Sequence, residues 1–203
     1  MYLKRIELTG FKSFAKKTVL EFSAPVTAIV GPNGSGKSNV VESLRFVLGE
    51  QSIKSMRGKS GTDLIFKGSK GLSAPSRASV EIVFDNTKKI FSFANKEGAP
   101  ELLFDEVSIS REVYSDGQNV YKINGTDVRL KDIVELLSSV HIGSSGHHMI
   151  SQGEADRILN SSSKDRRAMI EDALGLKIYQ YRIRESERKL ERTSLNMKEI
   201  ATV

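Results

Sequence analysis

The sequence predicts an α/β domain followed by a long projecting helix. Three observations carry that reading. A short apolar run, Val26 to Val30, passes into a glycine-rich loop and then into an amphipathic helix. Several other segments alternate apolar and polar residues, as a half-exposed strand does. The end of the chain switches to a seven-residue apolar repeat.

The elements follow in order. Residues 2–9 and 18–22 alternate and read as two strands. Val26 to Val30 is almost continuously apolar, the pattern of a buried central strand. A helix is expected from about Ser38 to Leu48, with Val40, Val41, Leu44, Val47 and Leu48 on one face and Gly49 as its left-handed stop. Residues 52–77 read as loop, with Lys54, Arg57, Lys59, Lys67, Lys70 and Arg77 set against one acid, Asp63. Ala78 to Phe84 reads as a strand, and residues 86–104 as polar and irregular. Val107 to Tyr114 and Val120 to Ile123 are expected strands joined by the turn-forming SDGQN. Asn124–Gly125 marks a second turn, and a helix is expected from about Asp127 to Leu137.

From Asp165 to Val203 there is no proline, and the only glycine is Gly175. Leu176, Ile183, Leu190 and Met197 recur every seven residues, with Tyr179, Ser186, Thr193 and Ile200 three positions later. One continuous helix over this stretch would reach roughly 58 Å at 1.5 Å per residue. A small domain cannot cover a stripe of that length, so the helix should project and pair with another. The expected division is therefore a lobe at 1–164 and the start of a coiled-coil arm at 165–203.

The 203 residues suffice for one core, or a core with an appendage. The absence of cysteine excludes disulfides and thiolate-held zinc or iron–sulfur centres, and fits a reducing compartment. No run of 18 apolar residues occurs, so no membrane partner is expected. The opening MYLKRIELTGF reads as a strand rather than a signal peptide. A formal charge of +6 is compatible with nucleic acid but does not specify it.

Gly31-Pro-Asn-Gly-Ser-Gly-Lys37-Ser38 fits the phosphate-loop pattern GxxxxGK followed by Ser or Thr. Amides of Asn33, Gly34, Ser35, Gly36, Lys37 and Ser38 can wrap phosphates, and the helix N-terminus adds partial positive charge. Lys37 should reach the β- and γ-phosphates of ATP, and the Ser38 hydroxyl should ligate Mg²⁺. Chance would produce this pattern on the order of one time in a hundred chains of this length, and the flanking strand and helix lower that further. Hydrolysis also needs a carboxylate to hold the metal through water. Leu102-Leu103-Phe104-Asp105-Glu106 offers a superficial Walker B match, but its apolar run is short and an alternating strand continues straight on. It reads as a decoy, which leaves the hydrolytic carboxylate unaccounted for.

Five blocks in order, GFKSF at 10–14, GPNGSGKSNVVESLRFVLGEQS at 31–52, MRG at 56–58, INGTDVRLKDI at 123–133 and ISQGEADRIL at 150–159, together resemble the N-terminal half of the head of structural maintenance of chromosomes (SMC) proteins. The resemblance implies a P-loop NTPase of ABC type, built from both ends of a long chain. In that family the C-terminal half brings the signature motif and the Walker B carboxylates, and this chain matches the first half only. The resemblance implies that Gln152 is the Q-loop glutamine that contacts Mg²⁺ and senses the γ-phosphate. It implies that Arg57 approaches the phosphates from within the same head. Lys12, Ser13, Asn33 and Asn39 are implied near the nucleotide, and Asp63 near the base. The implied partners are the C-terminal half of the head, a second SMC head as a homodimer, a kleisin subunit, and DNA held without sequence preference. Lys122 and the basic loop at 52–77 are the expected DNA face. The implied role is ATP-driven head engagement in chromosome condensation and segregation, in the cytoplasm on chromosomal DNA. Two alternatives stay open: a DNA double-strand-break repair ATPase of the same clan, and a coiled-coil interaction module that does not hydrolyse. His141, His147 and His148 form no metal-like spacing and are expected at the surface.

Overall fold

The computed structural model describes residues 2–91, 103–140, 142, 161–173 and 176–201. The chain divides into two compact units, residues 1–149 and 150–203.

Among the described residues, the first unit holds a sheet of six strands: β1 (Leu3–Thr9), β2 (Thr18–Glu21), β3 (Arg77–Asp85), β4 (Glu106–Tyr114), β5 (Asn119–Ile123) and β6 (Thr126–Val128). Their order is β2-β1-β3-β4-β5-β6, and each neighbouring pair is antiparallel. Ile6, Ile82, Ile109 and Ile123 fall in register across four strands, and all four are fully buried. Such a row is what period-two alternation produces when one face of a sheet is covered. The cover comes from α1 (Lys37–Val47), which packs on β3 and β4, and α2 (Leu130–Ser139), which packs on β5. Val40, Phe46 and Val47 of α1 are buried, as is Leu48 just after it, whereas Val41 is exposed. Gly49 sits at φ 98° and ends that helix in the left-handed region, as its position predicts.

Arg111 lies in register with Leu8, Val80 and Tyr121 on this face, and only 3% of it is exposed. Burial pushes its pKa below the usual guanidinium range. Its Nη1 donates to the carbonyls of Phe46 and Glu50 at 3.0 and 2.7 Å, and its Nε and Nη2 donate to Asn119 Oδ1. The guanidinium also lies 4.2 Å from the Phe46 ring centroid and 5.0 Å from that of Tyr121. It thus joins the Gly49 amide on the Phe46 carbonyl and satisfies the Glu50 carbonyl just beyond α1.

Three expectations are corrected. Val26 to Val30 is not a strand, and it is exposed, Val26 by 87% and Val30 by 88%. A central strand needs hydrogen-bonded neighbours, and each strand of the sheet pairs antiparallel with others, leaving this run unpaired. The turn at Asn124–Gly125, with φ of 47° and 78°, leads into the short strand β6 rather than directly into a helix, so α2 begins at Leu130. The expected single helix from Asp165 is two helices, α3 (Ser163–Ala173) and α4 (Lys177–Ala201). The Leu176 amide donates to the carbonyl of Glu171, five residues back, the bond that closes a helix C-terminus. A glycine inside a helix costs about 1 kcal/mol, and Gly175 falls in the interval, outside the described residues.

Along α4, Tyr179, Ile183, Leu190, Met197 and Ile200 of the expected seam are all exposed. Lys189–Glu185 on α4 and Arg167–Glu171 on α3 are four-residue-spaced ion pairs that support the helices locally. No described helix is long and apolar enough to cross a membrane.

Candidate functional site

The phosphate loop enters α1 through Gly36, at φ 95°, a conformation that costs a β-carbon-bearing residue strain. A Cβ there would also lie 2.8 Å from Ser13 Oγ, so the turn at 10–14 presses on the loop. No side chain caps α1. Among the described residues, the amides of Asn33, Gly34, Gly36, Lys37 and Ser38 have no hydrogen-bond partner, whereas Ser35 donates to the Pro32 carbonyl at 3.3 Å. A run of unpartnered amides at a helix N-terminus is an anion site by its own dipole and donors, so the loop fits a polyphosphate. Lys37 Nζ donates to the carbonyls of Gly31 and Pro32 at 2.6 and 2.7 Å, folded across the loop it belongs to. Ser38 is exposed on the first turn of the helix, where its hydroxyl can serve a metal ion.

Two other segments meet this loop. Phe11 is fully buried, with its ring centroid 5.5 Å from that of Phe46, which pins the 10–14 turn to α1. The same turn bonds to the 3₁₀ turn at Gly61–Leu64, through the Lys12 amide to the Leu64 carbonyl at 2.8 Å and the Phe66 amide to the Gly10 carbonyl at 2.8 Å. A second 3₁₀ turn, Lys54–Met56, ends at Arg57 in the left-handed region with φ 52°. Lys12 is left-handed too, with φ 47°. Non-glycine residues adopt this conformation rarely.

These segments bring Lys12, Ser13, Asn39 and Arg57 together with the loop. Asn39 Nδ2 donates to Ser13 Oγ at 2.8 Å, and Arg57 Nη2 donates to Asn39 Oδ1 at 3.4 Å. Both Lys12 and Arg57 form ion pairs with Glu42 of α1. Lys12 donates also to the Met56 carbonyl, so its ammonium is committed inside the cluster.

Glu42 was not anticipated from the sequence. It is 5% exposed and lies four residues before buried Phe46 on the same helix face. A carboxylate on a core-facing position demands cationic partners, and that signal was available in the sequence.

Asp63 is used differently. Its Oδ1 accepts from Lys67 Nζ at 2.6 Å, and its Oδ2 accepts the amides of Lys59 and Ser60 at 2.8 and 3.0 Å. Lys67 first, then those amides, hold its carboxyl well below the usual carboxylate range. It caps the 3₁₀ turn. Gln152, His141, His147 and His148 lie outside the described residues.

The Walker B-like segment is tied up elsewhere. Leu103 and Phe104 are exposed and outside any strand, and β4 begins only at Glu106. Asp105 pairs with Lys89 at 2.6 Å, and Glu106 pairs with Lys4 and Arg5. These cations lower the pKa of both carboxyls. No cluster of His, Cys, Asp and Glu suited to a metal ion occurs among the described residues.

The basic surface splits into paired and unpaired members. Lys122 and Arg77 both pair with Glu112, at 3.4 and 3.2 Å. Burial pushes the Glu112 carboxyl up, but the Tyr114 hydroxyl, Lys122 and Arg77 outweigh it and leave its pKa lowered. Arg57 and Lys67 are paired as described, whereas Lys54, Lys59 and Lys70 form no ion pair among the described residues.

Residues 2–156 match the family described as the RecF/RecN/SMC N terminal domain. The chain is 44% identical over 200 residues to the chromosome partition protein Smc of Halothermothrix orenii, which covers 98% of this chain but 16% of that protein. The Smc head domain of Pyrococcus furiosus, solved with an extended coiled coil and bound to the C-terminal domain of ScpA, has a TM-score of 0.77 at 37% identity, over 96% of this chain and 47% of its own. A structure from work on ATP-driven dimerization and DNA-stimulated activation of SMC ATPases has a TM-score of 0.74 at 38% identity, over 85% of this chain and 99% of its own. Family match and head-domain fold agree with the phosphate loop and the strands around it, and the chain belongs to the SMC family as the N-terminal part of its ABC-type ATPase head.

Proposed function

We propose that this chain is the ATP-gripping half of an SMC head, and that ATP binding and hydrolysis drive engagement and release of two such heads in chromosome partition. The observation that carries the reading is the set of unpartnered amides of Asn33, Gly34, Gly36, Lys37 and Ser38, joined at the N-terminus of α1 by the Lys37 side chain and by Arg57 through Asn39. In this reading the loop amides and Lys37 bind the β- and γ-phosphates, while the Ser38 hydroxyl and Gln152 hold Mg²⁺. The metal would neutralise phosphate charge. Asn33 and Ser13 line the approach, and Arg57 supplies positive charge where charge develops.

The site is half of one. Among the described residues, Glu42 is the carboxylate tied into this cluster, and it is committed to Lys12 and Arg57. Exposure of Val26, Ile29 and Val30, an apolar run suited to a sheet interior, supports a second half that covers it. The C-terminal half of the head would bring the strands and the hydrolytic carboxylates. A kleisin, a second copy of the head and DNA complete the proposed assembly, on chromosomal DNA in the cytoplasm, with the exposed seam of α4 joining an antiparallel coiled-coil arm that begins near residue 165.

The test is a titration of this chain with ATP and a C-terminal head fragment, reading association and phosphate release. Alone, the chain should bind nucleotide weakly and turn over essentially none, and the fragment should restore hydrolysis. Robust turnover by the chain alone would refute the split site. Unchanged nucleotide binding by Lys37→Ile would refute the grip itself.

A further inference from the structure

We propose that Glu42 is the positioning residue of this site: it sets Arg57 beside the phosphate loop and neutralises Lys12, so that the exposed arginine carries the cluster's one net positive charge. This rests on the reading of the loop as a nucleotide grip.

Four observations lead there. The Glu42 carboxylate is buried and receives Lys12 on one oxygen and Arg57 on the other. Arg57 engages it through Nε, and Nη2 reaches Asn39, two residues beyond the phosphate-loop lysine. A guanidinium carries five donors in a rigid fork, so this attachment leaves terminal N–H groups free. The Arg57 side chain is 60% exposed, whereas those of Lys12 and Glu42 are 13% and 7% exposed.

The charges follow from the same geometry. Lys12 spends its ammonium on Glu42 and the Met56 carbonyl, cancelling the carboxylate. Arg57 is then held by Glu42 without being neutralised by it. The contacts continue from Arg57 to Asn39, from Asn39 to Ser13, and from Ser13 to Gly36 of the loop, where a Cβ would collide with Ser13 Oγ. Without its carboxylate, Arg57 would lose the contact that fixes its stem, although its backbone is already in a sparsely populated conformation. The loop amides and Lys37 do not touch Glu42, so ATP binding should survive its neutralisation.

The experiment uses the full-length protein with ATP, comparing wild type with Glu42→Gln, Arg57→Ala and the double variant. Glu42→Gln should lower kcat roughly 10- to 100-fold, the size of a lost charge-assisted hydrogen bond, with KM for ATP within about twofold of wild type. In the Arg57→Ala background the same change should have no further effect, because Glu42 acts through Arg57. Without nucleotide, hydrogen exchange over residues 54–58 should quicken in Glu42→Gln. An unchanged or raised kcat, a raised KM at constant kcat, or a loss that adds fully to that of Arg57→Ala would overturn the proposal. Should Glu42→Gln fail to fold, Glu42→Asp keeps the charge but retracts it, and should show a smaller kcat loss with the same non-additivity. If Lys37→Ile hydrolyses like wild type, the nucleotide reading fails and this inference falls with it. If Lys37→Ile is dead and Glu42→Gln is indistinguishable from wild type, only this inference fails.

Discussion

Replacing Val26 and Val30 by serine separates what stabilises this unit from what completes it. The two side chains are 87% and 88% exposed, so the folded chain gains almost nothing from them. Full burial of a valine contributes about 1.5–3 kcal/mol. Nearly all of that is held in reserve for whatever covers the run. Serine retains part of the contact area, so the pair of substitutions should cost association roughly 2–4 kcal/mol, or about 30- to 1,000-fold in Kd for the C-terminal head fragment. Stability of the isolated chain should change by no more than about 0.5 kcal/mol, as for other exposed sites. Calorimetric titration of the fragment gives the first quantity and urea denaturation the second. A destabilised chain with unchanged Kd would refute the reasoning, because it would place the valines in this unit's own core.

Three further outcomes follow from the same physics. Arg111→Met leaves the Glu50 carbonyl without its donor and the Phe46 carbonyl with only the Gly49 amide, and should cost about 2–4 kcal/mol in urea denaturation; a loss below 0.5 kcal/mol would deny the guanidinium its structural role. Asp63 has a folded pKa depressed below the unfolded value near 3.9, so its stabilisation is complete above about pH 4 and is lost as pH falls through the folded value. Asp63→Asn should therefore be less stable than wild type at pH 7, with the gap narrowing below about pH 4; a gap that widens on acidification reverses the sign. Lys54, Lys59 and Lys70, all changed to alanine, should flatten the salt dependence of DNA binding by about 2–3 in the log–log slope, read by anisotropy on a duplex between roughly 50 and 200 mM salt. An unchanged slope moves the DNA contact elsewhere.

What the sequence made legible divides along a physical line. Local chemistry was readable: the loop and helix at 31–48, the strands whose alternation reports one covered face, and the glycine stop at 49 depend on residues close in the chain. What failed depended on partners distant in sequence. Val26 to Val30 has a buried strand's composition, but composition cannot say whether the neighbouring strands belong to the same segment. The Asp105-Glu106 decoy, by contrast, was readable from its short apolar run, and its pairing with Lys89, Lys4 and Arg5 agrees. Glu42 is the reverse case. Read along the helix, it is one more charged residue in a solvated pattern. Read against its helix face, it sits where a carboxylate is unaffordable without cations, and both of its cations come from other segments, 30 residues before it and 15 after. The same three residues tie two left-handed backbones to one carboxylate beside the loop, and the arginine among them is the exposed cation. A buried charge that binds two cations and leaves one facing outward orders that cation in advance, which is the arrangement a phosphoryl-transfer site needs before nucleotide arrives.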